Sequence, residues 1–237
     1  MILVTTAGKV GTETATLLAS QGRDVKVLVR DAGRHAGRST AGIELVTGDL
    51  DDAAAVQAAL DGVDSVVLVS PAVPAQELAV VAAAADAGVK HIVKVSSKAS
   101  PDSPIARRRG QSEIEAGLIA SGIPHTLLRA NAYMQNLLAV GPVVAKTGGF
   151  AASTGNGQVG LTDARDVAAV AAHVVGGPAH AGRTYWVTGP QLLSYADVAD
   201  TLSRVLGRTV TFTARTHARR GSCRVHRRWG AGRPGGQ

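Results

Sequence analysis

Only one cysteine, Cys223, occurs in 237 residues, so no internal disulfide is available and a reducing cytoplasm is the expected setting. Aromatic residues are nearly as scarce, at 3%. The core must therefore rest on Val, Leu, Ile and Ala. No apolar run approaches the roughly 18 residues that would read as a membrane span. Met1 leads directly into a strand-like segment, with no basic region followed by an apolar one, which predicts a chain without a secretory leader. There is no Gly-x-Ser-x-Gly, so a hydrolase has no support. No His or carboxylate cluster has ligand spacing, so a metal site is not expected. His91 and His125 begin apolar runs and read as structural.

Acidic residues are missing altogether from Ala214 to Gln237, where seven arginines lie. Without those seven, the chain's 25 basic residues fall to 18, which matches its 18 acidic ones. The net charge of +7 thus belongs to the tail and the body is neutral. Three readings fit the Arg/Gly composition. One is a basic arm that contacts nucleic-acid phosphates. Another is a solvated extension, and the third is frameshifted read-through of a GC-rich gene. The third is preferred, with residues 214–237 disordered and nucleic acid not a partner.

What is present is a regular alternation. Apolar strands are expected at Ile2–Thr5, Val25–Val29, Ile43–Thr47, Ser65–Ser70, His91–Ser97 and His125–Arg129. Helical spacing fills Lys9–Gln21, Asp51–Leu60, Ala75–Ala87 and Ile105–Ser121, the last two stopped by Gly88 and Gly122. This pattern predicts βαβ units and an α/β fold, a Rossmann-like doubly wound parallel sheet. After Arg129 the pattern loosens. A helix is expected near Ala132–Val140, a Gly-rich stretch at Gly148–Gly160, and a helix at Asp163–Val175 that Asp163 caps. A strand at Thr184–Thr188, a helix at Ser194–Leu206 capped by Ser194, and a strand at Thr209–Thr213 complete it. Residues 1–213 are therefore expected to form one domain, with a small and incomplete substrate-side portion at about 131–213.

"TTAGKVG" joins the first strand to the first helix. Gly8 and Gly11 at that turn let backbone N–H groups approach a pyrophosphate at the helix N-terminus. Thr6 stands near the place of the first glycine of Gly-x-Gly-x-x-Gly. Arg30 ends the second strand, where a guanidinium pairs with a 2′-phosphate, and Lys9, Arg34 and Arg38 add positive charge. NADPH is favoured, while Asp31 leaves NADH as an alternative. "TGDL" offers Asp49 to the adenine edge, or as a cap of the next helix, with Leu50 packing on the ring. "VSPA", with Ser70, lies along the ribose and nicotinamide side.

Taken in order, "ILVTTAGKVG", "VKVLVRD", "TGDL", "VKVSS", "SGIPHTLLRANAYMQNLL", "LTDARDVAAV" and "GRTYWVTGP" resemble the NmrA-like branch of the atypical short-chain dehydrogenase/reductases. The usual first turn of that family reads T-G-A-T-G-x-x-G, and this one is a residue shorter. The resemblance implies NADPH held by Gly8, Lys9, Val10 and Gly11, with Arg30 on the 2′-phosphate, and Thr6 beside them is a further cofactor-binding candidate. It also places "RANAYMQN" against the nicotinamide, making Asn131 and Tyr133 candidate catalytic residues, with Lys98 a third. "TDARDVA" would close the pocket from behind, with Asp166 a structural partner. The Tyr-x-x-x-Lys dyad of the wider superfamily aligns with Arg107 and Gln111, and no tyrosine lies between Met1 and Ala132.

A ketone needs a proton donor for its alkoxide, whereas a quinone yields a weakly basic phenolate. The expected function is hydride transfer from NADPH to a quinone-like or dye-like small molecule. The alternatives are a non-catalytic NADP(H)-sensing regulator and a truncated inactive relic. Oligomeric state is left open.

Overall fold

Short runs of Val, Ile and Leu that are buried on both faces can only sit in the middle of a layered sheet. The computed structural model describes residues 1–34 and 42–215. Arg38 and the tail from residue 216, including Cys223, lie outside the described residues. Strands β1 (Ile2–Val4), β2 (Val25–Val29), β3 (Ile43–Thr47), β4 (Ser65–Leu68), β5 (His91–Ser96), β6 (His125–Ala130) and β9 (Arg183–Val187) form one sheet of order 3-2-1-4-5-6-9. Every pairing in it is parallel. Helices α1 (Lys9–Ser20) and α6 (Ala164–Val174) cover one face with Val10, Leu18, Val167 and Ala171. Helices α2 (Ala53–Ala59), α3 (Pro74–Asp86) and α4 (Ala106–Ala120) cover the other with Val56, Val80, Ala84 and Leu118. Gly88 and Gly122, at φ +70° and +74°, stop α3 and α4 as expected.

Strand order reverses between β1 and β4. The loops leaving their carboxyl ends diverge there and open a crevice. The second half differs more from expectation. The segment at Ala132–Val140 is a 3₁₀ turn, Met134–Val140, and runs on into α5 (Gly141–Thr147). Gly141-Pro142 reads as a breaker, but proline within the first helical residues starts a helix instead. The Gly-rich stretch contains β7 (Gly149–Ala152) and β8 (Val159–Gly160). These pair with two distant strands: β11 (Thr211–Ala214) lies parallel to β7, and β10 (Leu192–Leu193) antiparallel to β8. Helix α7 (Tyr195–Leu206) begins with a capping box between Ser194 and Asp197. A separate small core forms from Val144, Phe150, Leu161, Val198, Ala199 and Val210.

The two strand-initial histidines are structural. His91 is buried, with Nε2 3.0 Å from the Thr126 hydroxyl and Nδ1 accepting the Gly176 N–H at 3.0 Å. Burial, reinforced by the fields of His125 and His180, holds its pKa below the ordinary value. A folded chain that resists protonation loses stability as pH falls below the unfolded value of about 6.5, because only the unfolded chain then binds the proton. Urea unfolding at pH 7.5 and 5.5 is expected to show lower stability at pH 5.5, and His91→Gln is expected to flatten that difference.

Candidate active site

The crevice at the strand reversal is a cavity of about 990 Å³, at the upper end of the roughly 300–1,000 Å³ typical of cofactor and ligand pockets. Its edges are latched together. Thr5 donates its hydroxyl to the Val69 carbonyl at 2.9 Å and accepts the Val69 N–H at 2.9 Å. Thr6 donates to the same carbonyl, also at 2.9 Å. Where a longer loop carries a glycine, this one carries a threonine whose side chain ties β1 to β4.

Gly8 is the N-cap of α1 and supplies no side-chain oxygen to the helix. The first backbone bond into the helix runs from the Thr12 N–H to the Gly8 carbonyl. The amides of Lys9 and Val10, both on the cavity wall, are left to an anion, where the helix dipole favours one. Gly11 is not on that wall. It lies beneath the loop, where an added Cβ would stand 1.9 Å from the Thr6 carbonyl oxygen. Its role is to let the loop backbone close down on the helix. At Gly8 a Cβ would meet nothing nearer than 3.7 Å. The Lys9 ammonium stretches towards the Gln135 carbonyl and the Asn136 side chain, 3.5 and 3.4 Å away.

Arg30 is exposed at the end of β2 and lines the cavity with Arg34. Asp31, the residue that would favour NADH, is occupied. Its carboxylate accepts the Gly33 N–H at 2.9 Å and lies 3.2 Å from the Arg34 guanidinium. Leu50 is buried on the wall beside Asp49. Asp49 does not cap α2, since Asp52 does so by accepting from Ala54 and Ala55. The Asp49 carboxylate accepts the Asp51 N–H at 3.1 Å.

Ser70 lines the cavity, but its hydroxyl is committed: it donates to Glu77 at 2.7 Å and accepts the Ala72 N–H at 3.1 Å. Glu77 in turn pairs with Lys94 at 2.6 Å, both side chains being 0% exposed. Lys94 also donates to the Val95 carbonyl at 2.9 Å. Burial draws its pKa below the ordinary lysine value, and Glu77 pulls it back only in part. This pair backs the cavity wall through Ser70 and Val95. A lysine inside "HIVKVSS" and a glutamate inside an alanine-rich helix are its signal in the sequence.

Beyond Val95 a second polar chain begins. Ser96 has one proton and two acceptors nearby, Glu115 at 2.5 Å and Gln111 at 3.2 Å. The nearer, charged carboxylate takes it. Arg129 holds Glu115 through two nitrogens, and its guanidinium lies 5.5 Å from the centre of the Trp186 ring. Gln111 and Arg107, at the dyad positions, both line the cavity with Ser96 and Tyr133. Burial raises the Tyr133 phenol, with Arg107 opposing that shift, so the hydroxyl keeps its proton.

Two of the three catalytic candidates stand apart from the cavity lining. Lys98 is exposed. Asn131 is also exposed, accepts the Ala132 N–H at 3.0 Å and lies 3.4 Å from Thr188. It does not cap the next segment, where Tyr133 holds the N-cap position. Asp163 caps α6 as expected, and neither it nor the rest of Thr162–Ala168 is on the cavity wall. It accepts the Arg165 amide at 2.8 Å and the Gln135 side chain at 2.7 Å, and the Arg165 guanidinium holds its carboxyl far below the usual range. Asp166 is exposed, and no side-chain partner for it occurs among the described residues. No trio of His, Cys, Asp or Glu among the described residues could hold a metal ion, and none of their helices is long and apolar enough to cross a membrane.

The model of the NmrA-like family matches residues 1–218. An NAD(P)H azoreductase from Xenophilus azovorans is 39% identical over 220 residues, covering 91% of this chain and 77% of that protein. A (4-alkanoyl-5-oxo-2,5-dihydrofuran-3-yl)methyl phosphate reductase from Streptomyces griseus is 43% identical, covering 90% and 76%. Among solved structures, the NADPH complex of the quinone oxidoreductase QOR2 from Escherichia coli superposes with a TM-score of 0.82 at 30% identity. It covers 91% of this chain and 79% of that one.

Proposed function

Because this chain belongs to the NmrA-like family, we propose that its cleft binds NADPH and reduces a quinone-like or dye-like acceptor without a Tyr-Lys dyad. It is an NAD(P)H-dependent oxidoreductase, like the azoreductase and the quinone oxidoreductase that it resembles. The cofactor fits the residues present. The open amides at the start of α1 would take the pyrophosphate, Arg30 the 2′-phosphate, and Leu50 the adenine. NADPH, when bound, supplies the hydride. Residues 131–213 would form the acceptor side, with Tyr133 as an apolar wall.

One observation carries the choice of acceptor. At the β5–β6 end the polar side chains on the wall are Ser96, Arg107, Gln111 and Tyr133. Neither a guanidinium nor an amide serves as a general acid, Ser96 has committed its own proton to Glu115, and burial raises the phenol of Tyr133. An acceptor whose reduced form is a weak base, with water as its proton source, suits such a wall. What this chain then provides is position and exclusion of water. Titration with NADPH followed by a quinone and dye panel tests it. Binding without turnover of any acceptor would sink the enzymatic reading in favour of the NADP(H) sensor.

Arg30→Ala is expected to raise KM for NADPH about 10- to 100-fold, the worth of a charge-assisted phosphate contact. KM for NADH should move far less. Equal rises for both cofactors would remove Arg30 from the 2′-phosphate.

A further inference from the structure

The charges on the cleft wall do not all find a use in holding NADPH. Lys9, Arg30, Arg34 and Arg107 are its cations, and Asp31 and Asp49 its carboxylates. The first three cations stand after β1 and β2, where the phosphates of a dinucleotide lie once its pyrophosphate rests on α1. Arg107 stands after β5, across the β1–β4 reversal from them. Both carboxylates belong to the loops after β2 and β3, so the wall around Arg107 carries no negative charge. Among the described residues no ion pair engages it.

The helix bearing Arg107 gives it no reason to be there. Helix α4 opens Ala106-Arg107-Arg108-Arg109 with no acidic residue in its first turn, although positive charge at a helix N-terminus is unfavourable. Arg109 is accounted for by its 2.7 Å bond to the Ser103 carbonyl. Arg107 faces the cavity, close enough to Tyr133 for its charge to act on the phenol. A residue that its own helix disfavours, kept where it meets the site, marks a role for the ligand.

We infer that Arg107 and the Tyr133 ring form an acceptor subsite for planar molecules that carry an anionic substituent such as a sulfonate or carboxylate. The ring offers a flat apolar wall and a hydroxyl that keeps its proton, and the guanidinium and the α4 N-terminus both favour the anion. This rests on the quinone-reductase reading and specifies which members of that class are preferred.

The test compares NADPH-dependent reduction of 1,4-naphthoquinone and its 2-sulfonate by the wild-type full chain, Arg107→Gln and Arg107→Lys. The variant-to-wild-type ratio is taken for each acceptor separately, so their different potentials cancel. Arg107→Gln is expected to lower kcat/KM for the sulfonate about ten-fold or more beyond its effect on the parent quinone, mainly through KM. Arg107→Lys should restore much of that difference. Removing a cation from the first turn of α4 should not destabilise the fold, which thermal unfolding checks. Equal losses for both acceptors, or a matching rise in KM for NADPH, would overturn the subsite and leave the quinone-reductase reading standing. Reduction of neither acceptor by the wild type would overturn both.

Discussion

Gly11→Ala is expected to abolish measurable NADPH binding, raising Kd by about 100-fold or more. The new methyl group would stand 1.9 Å from the Thr6 carbonyl oxygen, a backbone atom that no rotamer change can move. Thr6 is itself anchored by its hydroxyl to Val69, the residue after β4, so the loop cannot swing aside without breaking that latch. Relief must come from displacing the turn, and with it the Lys9 and Val10 amides that would meet the pyrophosphate. Calorimetric titration of NADPH measures the effect, and circular dichroism checks the fold. Wild-type affinity in a folded Gly11→Ala protein would show that the cofactor does not rest on this turn. Gly8→Ala makes a useful contrast, because its Cβ has room, at 3.7 Å from the nearest atom.

Glu77→Ala and Lys94→Ala are each expected to destabilise the protein by about 3–5 kcal/mol, the cost of leaving one buried charge without its partner. The double variant Glu77→Ala/Lys94→Ala should cost far less than the two single losses together, since it leaves neither charge buried without its partner. Urea unfolding of the four proteins closes the cycle. Additive losses would mean that the 2.6 Å pair is not coupled. Loss of Glu77 also frees the Ser70 hydroxyl, so NADPH affinity should fall in Glu77→Ala even where the protein remains folded.

The nucleotide half was legible because its signals are local and repeated. Strands such as Ile2–Val4 and Ser65–Leu68 are buried on both faces, and turn glycines separate strand from helix at regular distances. Arg30 was legible as a residue of the cleft from its place directly after the second strand, and it lines the cavity there. What was hidden depends on pairing at long range. Strand β7 is recognisable only once Thr211–Ala214 is known to lie beside it, and "GGFAA" by itself looks like a loop. Asn131 and Lys98 are exposed and stand outside the cavity lining, because spacing puts a residue near a strand end without saying which way it faces. Ser70 faces the cleft but spends its hydroxyl on Glu77, a use that only packing reveals. The Lys94–Glu77 pair joins a strand to a helix in a way that neither segment announces alone.

The pairing of β7 with β11 also sets an order of events during synthesis. The first six strands of the large sheet are all present once Ala130 has left the ribosome, and the faces around the phosphate turn can begin to close. The smaller core cannot. Phe150 packs against both Tyr195 and Phe212, and the Gly149–Ala152 strand has no neighbour until Thr211–Ala214 has been made. For that interval the nascent chain holds a folding large sheet and a small core whose Phe150 is uncovered. A chaperone that samples this protein on the ribosome would find its hydrophobic target near Phe150, and would lose it when the final strand arrives.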